Sequence, residues 1–279
     1  MTMIDRAAST GEWEIDRLDL DAYLERIGYD GALAADAGTL RGLHRAHAAA
    51  IPFENLDIVL GRMIELGLDS VQDKLVRRPR GGYCFEHNLL FAAVLERLGY
   101  AVTRLSARVR PSHPGPRTHM LLRVMADGSP WLADVGFGAS LLEPLALQPG
   151  TANQGGWRYR LVASDPGAWH LLQADEDGGW TDLYAFTLEP QRPIDYEVYN
   201  YYTASHPRSP FTGQMVALRT EPDVRYALRG MQLTTSRPDG DAHERRIDVE
   251  ELADVLAERF GIGLTPEEEA GLRQAAVNR

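Results

Sequence analysis

Arg80-Gly81-Gly82-Tyr83-Cys84-Phe85-Glu86-His87-Asn88 runs straight into Leu89-Leu90-Phe91-Ala92-Ala93-Val94-Leu95-Glu96-Arg97-Leu98-Gly99, and the chain changes character where this stretch ends. The two leading glycines let the backbone turn sharply or approach another group closely. Leu90, Phe91, Val94, Leu95 and Leu98 then share one helical face, and Gly99 stands where a C′ glycine ends a helix. The spacing predicts a helix from about Cys84 to Leu98 with the cysteine in its first turn. Unpaired N–H groups in that turn carry partial positive charge, which favours thiolate over thiol, and Arg80 adds to the field.

Upstream the pattern is helical. Ile15, Leu18, Leu20, Tyr23, Leu24 and Ile27 make a helical stripe over 13–27, and Thr39 reads as the N-cap of a helix over 40–50 that Pro52 stops. Downstream, short runs rich in Val, Tyr, Trp and Leu alternate with turn clusters, at 101–109, 119–125, 130–135, 157–163, 168–174 and 180–187. Residues 175–179 connect the last two as a hairpin, and further hairpins fall around Glu221-Pro222-Asp223 and Pro238-Asp239-Gly240. Asp248 with Glu251 has the form of a capping box. Thr265-Pro266-Glu267-Glu268 supplies an N-cap, a proline at N1 and acid in the first turn. Helices, then strands as an antiparallel sheet or barrel, then a smaller mixed unit predict an α+β protein in three parts, divided at 1–100, 101–204 and 205–279.

The composition is that of an ordinary globular chain: 279 residues, 44% hydrophobic and 25% charged. A net charge of −11 excludes the broad basic face that binds nucleic acid, and argues equally against a polybasic membrane anchor. It leaves room for an anionic small molecule in a local pocket of positive potential. The first twenty residues hold neither an apolar core nor a basic flank of a signal peptide, and no window reaches the length of a membrane span. With one cysteine there is no internal disulfide, so the cytoplasm is the expected compartment.

A lone cysteine is commonly a small buried hydrophobe. A core position, however, has no need of Gly-Gly before it or Glu-His-Asn after it. A cysteine nucleophile needs a base, and the base an orienting group. His119, in Arg117-Thr118-His119, heads one predicted strand; Asp134, in Asp134-Val135-Gly136-Phe137-Gly138, ends the next. If the two strands pair as a hairpin, imidazole and carboxylate lie on the same edge. Such pairs on neighbouring strands are often structural, and His87, one helical turn beyond Cys84, is a second candidate base.

Together these blocks resemble the arylamine N-acetyltransferase family. Leu43-His44-Arg45-Ala46-His47, continuing to Ile51-Pro52-Phe53-Glu54-Asn55-Leu56-Asp57, and Ser205-His206-Pro207-Arg208-Ser209-Pro210-Phe211 are similar to two further motifs of that family. Ala204-Ser205 departs from the two hydroxyl residues many relatives carry. The resemblance implies a helical bundle, a central β-barrel and a C-terminal α/β lid around a cysteine-proteinase-like core, with Cys84, His119 and Asp134 as the triad. It further implies acetyl-CoA as acyl donor, an arylamine, arylhydrazine or arylhydroxylamine as acceptor, and ping-pong transfer through an acyl-cysteine. Phe137, Gly138 and Thr118 are then expected to line the substrate pocket, with Arg80 and Glu86 supporting the cysteine loop. A macrolactam-forming amide synthase, a cysteine hydrolase and a non-enzymatic redox sensor are the alternatives.

His44 and His47 sit three apart on a predicted helix, but no third ligand lies near in sequence, so no metal is expected. Gly136 and Gly138 lack the third glycine of a dinucleotide fingerprint. Glu54 and Glu86 are both candidates for a buried partner of Arg80, in a structural ion pair rather than acid–base work.

Overall fold

The computed structural model describes residues 11–277 apart from 114, 140, 165–166 and 176. Residues 1–10, on which part of the signal-peptide reading rests, and Glu176 of the 175–179 connection lie outside the described residues.

The predicted helix over 13–27 is two elements, a 3₁₀ turn at Ile15–Arg17 and α1 at Leu20–Ile27. Asp19 separates them: its carboxylate accepts from Ala22 N at 3.1 Å, so the side chain caps a new helix. The next helix, α2 (Ala37–Ala50), starts earlier than its stripe announced. Asp36, not Thr39, caps it, accepting from Thr39 N at 2.8 Å. A two-residue strand β1 (Phe53–Glu54) and the helices α3 (Leu56–Val59) and α4 (Leu68–Leu75) lead to α5 (Cys84–Arg97). Helix α5 is the axis of the first core: its residues from Cys84 to Leu95 are all buried.

The strands follow as β2 (Ala101–Val109), β3 (His119–Ala126), β4 (Ser129–Ala133), β5 (Leu145–Ala146), β6 (Gly150–Gln154), β7 (Trp157–Ser164), β8 (Ala168–Ala174) and β9 (Trp180–Phe186). They form one antiparallel sheet in the order β5-β4-β3-β2-β9-β8-β7-β6, a nearly closed barrel with β5 and β6 at its ends. Leu105, Leu121, Leu132, Tyr159, Leu171 and Tyr184 fill it. Pairing of Leu122 with Ala133 and of Val124 with Trp131 sets the β3–β4 register. That register puts the start of β3 and the residue after β4 on one edge.

Helix α6 (Pro193–Ser205) was not announced by periodicity. It has proline in its first turn, Asp195 accepting from Arg192 N at 2.8 Å, and buried Tyr196, Asn200 and Thr203. After the short α7 (Pro210–Gly213) come β10 (Val216–Thr220), β11 (Arg225–Arg229), β12 (Gln232–Ser236) and β13 (Ala242–Arg246), then α8 (Leu252–Phe260) and α9 (Pro266–Val277). These strands form a second antiparallel sheet, with β1 added beside β10 through Phe53↔Leu218. Phe53 also bridges to Gly82. Strand β1 therefore joins the cysteine loop to a sheet contributed by residues more than a hundred positions later.

Candidate active site

Cys84 is the first residue of α5, and the loop that delivers it depends on close backbone approach. A Cβ at Gly81 would lie 1.8 Å from the Pro52 carbonyl oxygen, so only glycine fits there. Glu86 reaches back to accept from Tyr83 N at 3.0 Å, closing the helix start. Behind the loop lies a buried charge network. Arg80 meets Glu54 at 2.8 Å, Glu268 at 2.9 Å and Asp57 at 3.3 Å, while Lys74 meets Asp57 and Glu86 at 2.8 Å each. Of the two expected partners of Arg80, Glu54 takes the role; Glu86 pairs with Lys74 instead. With three carboxylates around it, the Arg80 guanidinium serves the loop's internal balance. Burial alone would raise the Asp57 carboxyl, but Lys74 and Arg80 hold it down at about 2.

The β3–β4 hairpin brings the expected base and carboxylate together. His119 Nε2 lies 2.7 Å from Asp134 Oδ2, and Cys84 is near enough to help hold the ring charged. Since Asp134 takes Nε2, Nδ1 is the nitrogen left for the sulfur. The Cys84 thiol also reaches the Thr118 carbonyl oxygen at 3.5 Å, so Thr118 contributes backbone at this point. Cys84 keeps 4% of its exposure, His119 2% and Asp134 none.

Asp134 is saturated with donors. Oδ2 also accepts from Tyr184 Oη at 2.9 Å, and Oδ1 accepts from Gly136 N at 3.0 Å and Asn88 Nδ2 at 3.1 Å. Burial works to raise this carboxyl, but the His119 cation and these hydrogen bonds hold it below the usual carboxylate range. Burial likewise opposes charge on His119. The Asp134 carboxylate and its hydrogen bond, with a smaller contribution from Cys84, reverse that and hold the imidazole up at about 10.

Asn88 is a hub that sequence reasoning quoted without assigning: its amide bonds Met120 O at 2.8 Å and its carbonyl accepts from Val135 N at 3.3 Å. A Cβ at Gly136 would lie 2.6 Å from Asn88 Nδ2 and 2.8 Å from Cys84 Cα, so this glycine lets the Asp134 loop close on Cys84. Phe137 packs edge-on against both rings, 5.0 Å from His119 and 5.1 Å from Tyr184. Gly138 lies farther out, accepting from Thr220 Oγ1 at 3.4 Å. Tyr184 was missed: in sequence it is one aromatic of a strand, and nothing marks its hydroxyl as aimed at a carboxylate.

The remaining expected residues go elsewhere. Both ring nitrogens of His87 are engaged elsewhere, Nδ1 at 2.9 Å from His47 Nε2 and Nε2 at 3.1 Å from the Pro52 and Gly82 carbonyl oxygens. His44 supports the Asp134 backbone, its Nε2 lying 3.3 Å from Asp134 N. Among the described residues no group of three or more His, Cys, Asp or Glu is arranged to hold a metal, and no helix is long and apolar enough to cross a membrane.

A thiol beside an imidazole that a carboxylate keeps charged is the arrangement of nucleophilic acyl transfer. Residues 36–269 match the family model described as N-acetyltransferase. The arylamine N-acetyltransferase of Mycolicibacterium smegmatis is 43% identical over 258 residues, covering 88% of this chain and 93% of that protein. The structure of the arylamine N-acetyltransferase from Mycobacterium abscessus superposes with a TM-score of 0.92 at 39% identity, covering 96% of this chain and 98% of the other. That of the Mycobacterium marinum enzyme in complex with CoA superposes with a TM-score of 0.84 at 37% identity, covering 92% and 99%.

Proposed function

The chain belongs to the arylamine N-acetyltransferase family and is an acyltransferase, and from that premise we propose that it carries an acetyl group from acetyl-CoA to an arylamine, arylhydrazine or arylhydroxylamine by way of acyl-Cys84. The observation that carries this reading is His119 bonded to Asp134 at 2.7 Å and held up at about 10, with Cys84 adding to the field that keeps it charged.

In the resting pair the shared proton resides on His119. The Cys84 sulfur attacks the thioester carbonyl, and the N–H groups in the first turn of α5 face the developing oxyanion. The carbon–sulfur bond to coenzyme A breaks, the leaving thiolate takes the proton from His119, and a Cys84 thioester remains. The amine then attacks that thioester, His119 takes its proton, and the amide departs as the Cys84 sulfur is released. Asp134 stays ionised throughout, orienting the ring and stabilising the imidazolium. Phe137, which shields one side of the His119–Tyr184 ring pair, gives an aromatic acceptor a surface to pack on. A reducing compartment such as the cytoplasm suits a free nucleophilic thiol.

Intact-mass measurement tests the reading directly. Incubation with acetyl-CoA alone should add one acetyl group, on Cys84, and an arylamine should remove it with release of the acetylated amine. His119→Ala should acylate far more slowly. Acylation at an unchanged rate would assign the base elsewhere, and loss of the adduct to water as fast as to amine would make the protein a hydrolase.

A further inference from the structure

Of the buried histidines outside the acyl-transfer site, His47 and His87 lie in one hydrogen-bonded line that ends beside the nucleophile. The two carbonyl oxygens at 3.1 Å from His87 Nε2, of Pro52 and Gly82, can only accept, so Nε2 carries the hydrogen. His87 Nδ1 lies 2.9 Å from His47 Nε2. In neutral His87 that Nδ1 is bare, so His47 donates. His47 Nδ1 is then bare in its turn and accepts from Tyr23 Oη at 2.9 Å. Every hydrogen in the line has one direction: Tyr23 to His47, His47 to His87, His87 to the two carbonyls.

The terminal carbonyls are not arbitrary. Gly82 stands two residues before Cys84, and its oxygen also accepts from Glu54 N at 2.7 Å. Pro52 is the residue against which Gly81 closes. A Gly-Gly loop has more backbone freedom than any other pair, and something must hold the peptide planes that feed the first turn of α5. We propose that His87 is a positioning residue for Cys84: the line from Tyr23 through His47 presents one donor in one direction, and that donor locks the Gly82 and Pro52 carbonyls. This rests on Cys84 being the acylated residue.

The line keeps this direction only with both rings neutral, because a proton on His87 Nδ1 would meet the N–H of His47 head-on. Burial secures that state. It lowers His87 to about 4 against the weak opposing pull of the two carbonyls, and takes His47 well below its ordinary value.

The test is the rate of acetyl transfer to Cys84 at saturating acetyl-CoA, followed by quenched intact mass. His87→Leu, with no donor, should slow it by about tenfold or more while the half-saturating acetyl-CoA concentration stays within about twofold. His87→Gln puts an amide N–H where Nε2 was and should recover the rate to within about threefold. Tyr23→Phe removes only the far hydroxyl and should cost about two- to fivefold. A folded His87→Leu acylating within about twofold of wild type overturns the proposal, as do Leu and Gln variants equally slow, which would mean that ring packing matters and the donor does not. If His87→Leu does not fold, a Tyr23→Phe enzyme at the wild-type rate overturns it. Should wild-type Cys84 itself take no acetyl group, the acyl-transfer reading fails instead, and the two failures are separate.

Discussion

His119 and His87 are both almost wholly buried, within a few residues of the same cysteine in space, yet they sit on opposite sides of neutrality. His119 is held up at about 10, whereas His87, like His44, is pulled down to about 4. Burial pushes all three the same way, toward the neutral ring. The difference is the kind of acceptor. His119 Nε2 meets the Asp134 carboxylate at 2.7 Å, while His87 and His44 meet backbone carbonyl oxygens at 3.1 and 3.2 Å. A full negative charge in a dry site repays the desolvation of imidazolium; a carbonyl dipole does not. One protein thereby keeps a charged and a neutral imidazole near one helix start.

Asp134→Asn is the strongest way to break this contrast, because it turns the acceptor of His119 into a neutral amide. Acylation of Cys84 should fall by about a thousandfold or more, and the His119 ring, followed by NMR titration, should move from about 10 to below its ordinary 6.5. A ring still charged at neutral pH would assign the raised value to something other than Asp134.

Stability against pH sharpens the contrast without any substitution. For His119 the folded chain binds the proton more tightly than the unfolded one. Its contribution is full below pH 6.5 and is lost as the pH rises through about 10. For His44 and His87 the unfolded chain binds the proton first, so their contribution is full above pH 6.5 and is lost as the pH falls toward about 4. Denaturant unfolding should show stability climbing from pH 4 to 6.5 by up to about 1.4 kcal/mol per pH unit for each neutral histidine. His87→Gln should remove one histidine's share of that slope, with His44 and His47 supplying the rest, and leave the alkaline limb unchanged.

Tyr184→Phe removes one of the four donors to Asp134 and leaves the ring packing intact. Steady-state turnover should drop by roughly tenfold, matching about 1.5 kcal/mol for one hydrogen bond to a charged group. The smallest effect is expected of His44→Asn, which can still donate to the Leu142 carbonyl but leaves Asp134 N unsupported. Thermal unfolding should report a loss of about 1 kcal/mol, with acylation within about twofold of wild type.

Much of the site was legible because its signals are contiguous. Gly81-Gly82 before Cys84, a histidine at a strand start and an aspartate at the next strand's end each carry their chemistry in a few neighbouring residues. The helix of Cys84, the barrel strands and the late hairpins were legible for the same reason, since periodicity and turn residues are local. Where two local signals competed, as at Asp36 against Thr39 or at Asp19 inside a hydrophobic stripe, the carboxylate that could reach a free N–H won.

What pairs with what across the chain was decided by the tertiary structure. Tyr184 bonds Asp134 across 50 positions, His47 bonds His87 across 40, and Arg80 meets Glu268 across 188. Glu54 and Glu86 are equivalent carboxylates to a reader of sequence, and only packing gives one to Arg80 and the other to Lys74. Sequence by itself determined which groups are able to exchange a proton or attack a carbonyl, because that is a property of the side chain. Whether each of them is charged was left to the fold, because a buried imidazole takes its protonation from whichever acceptor the folded chain sets against it.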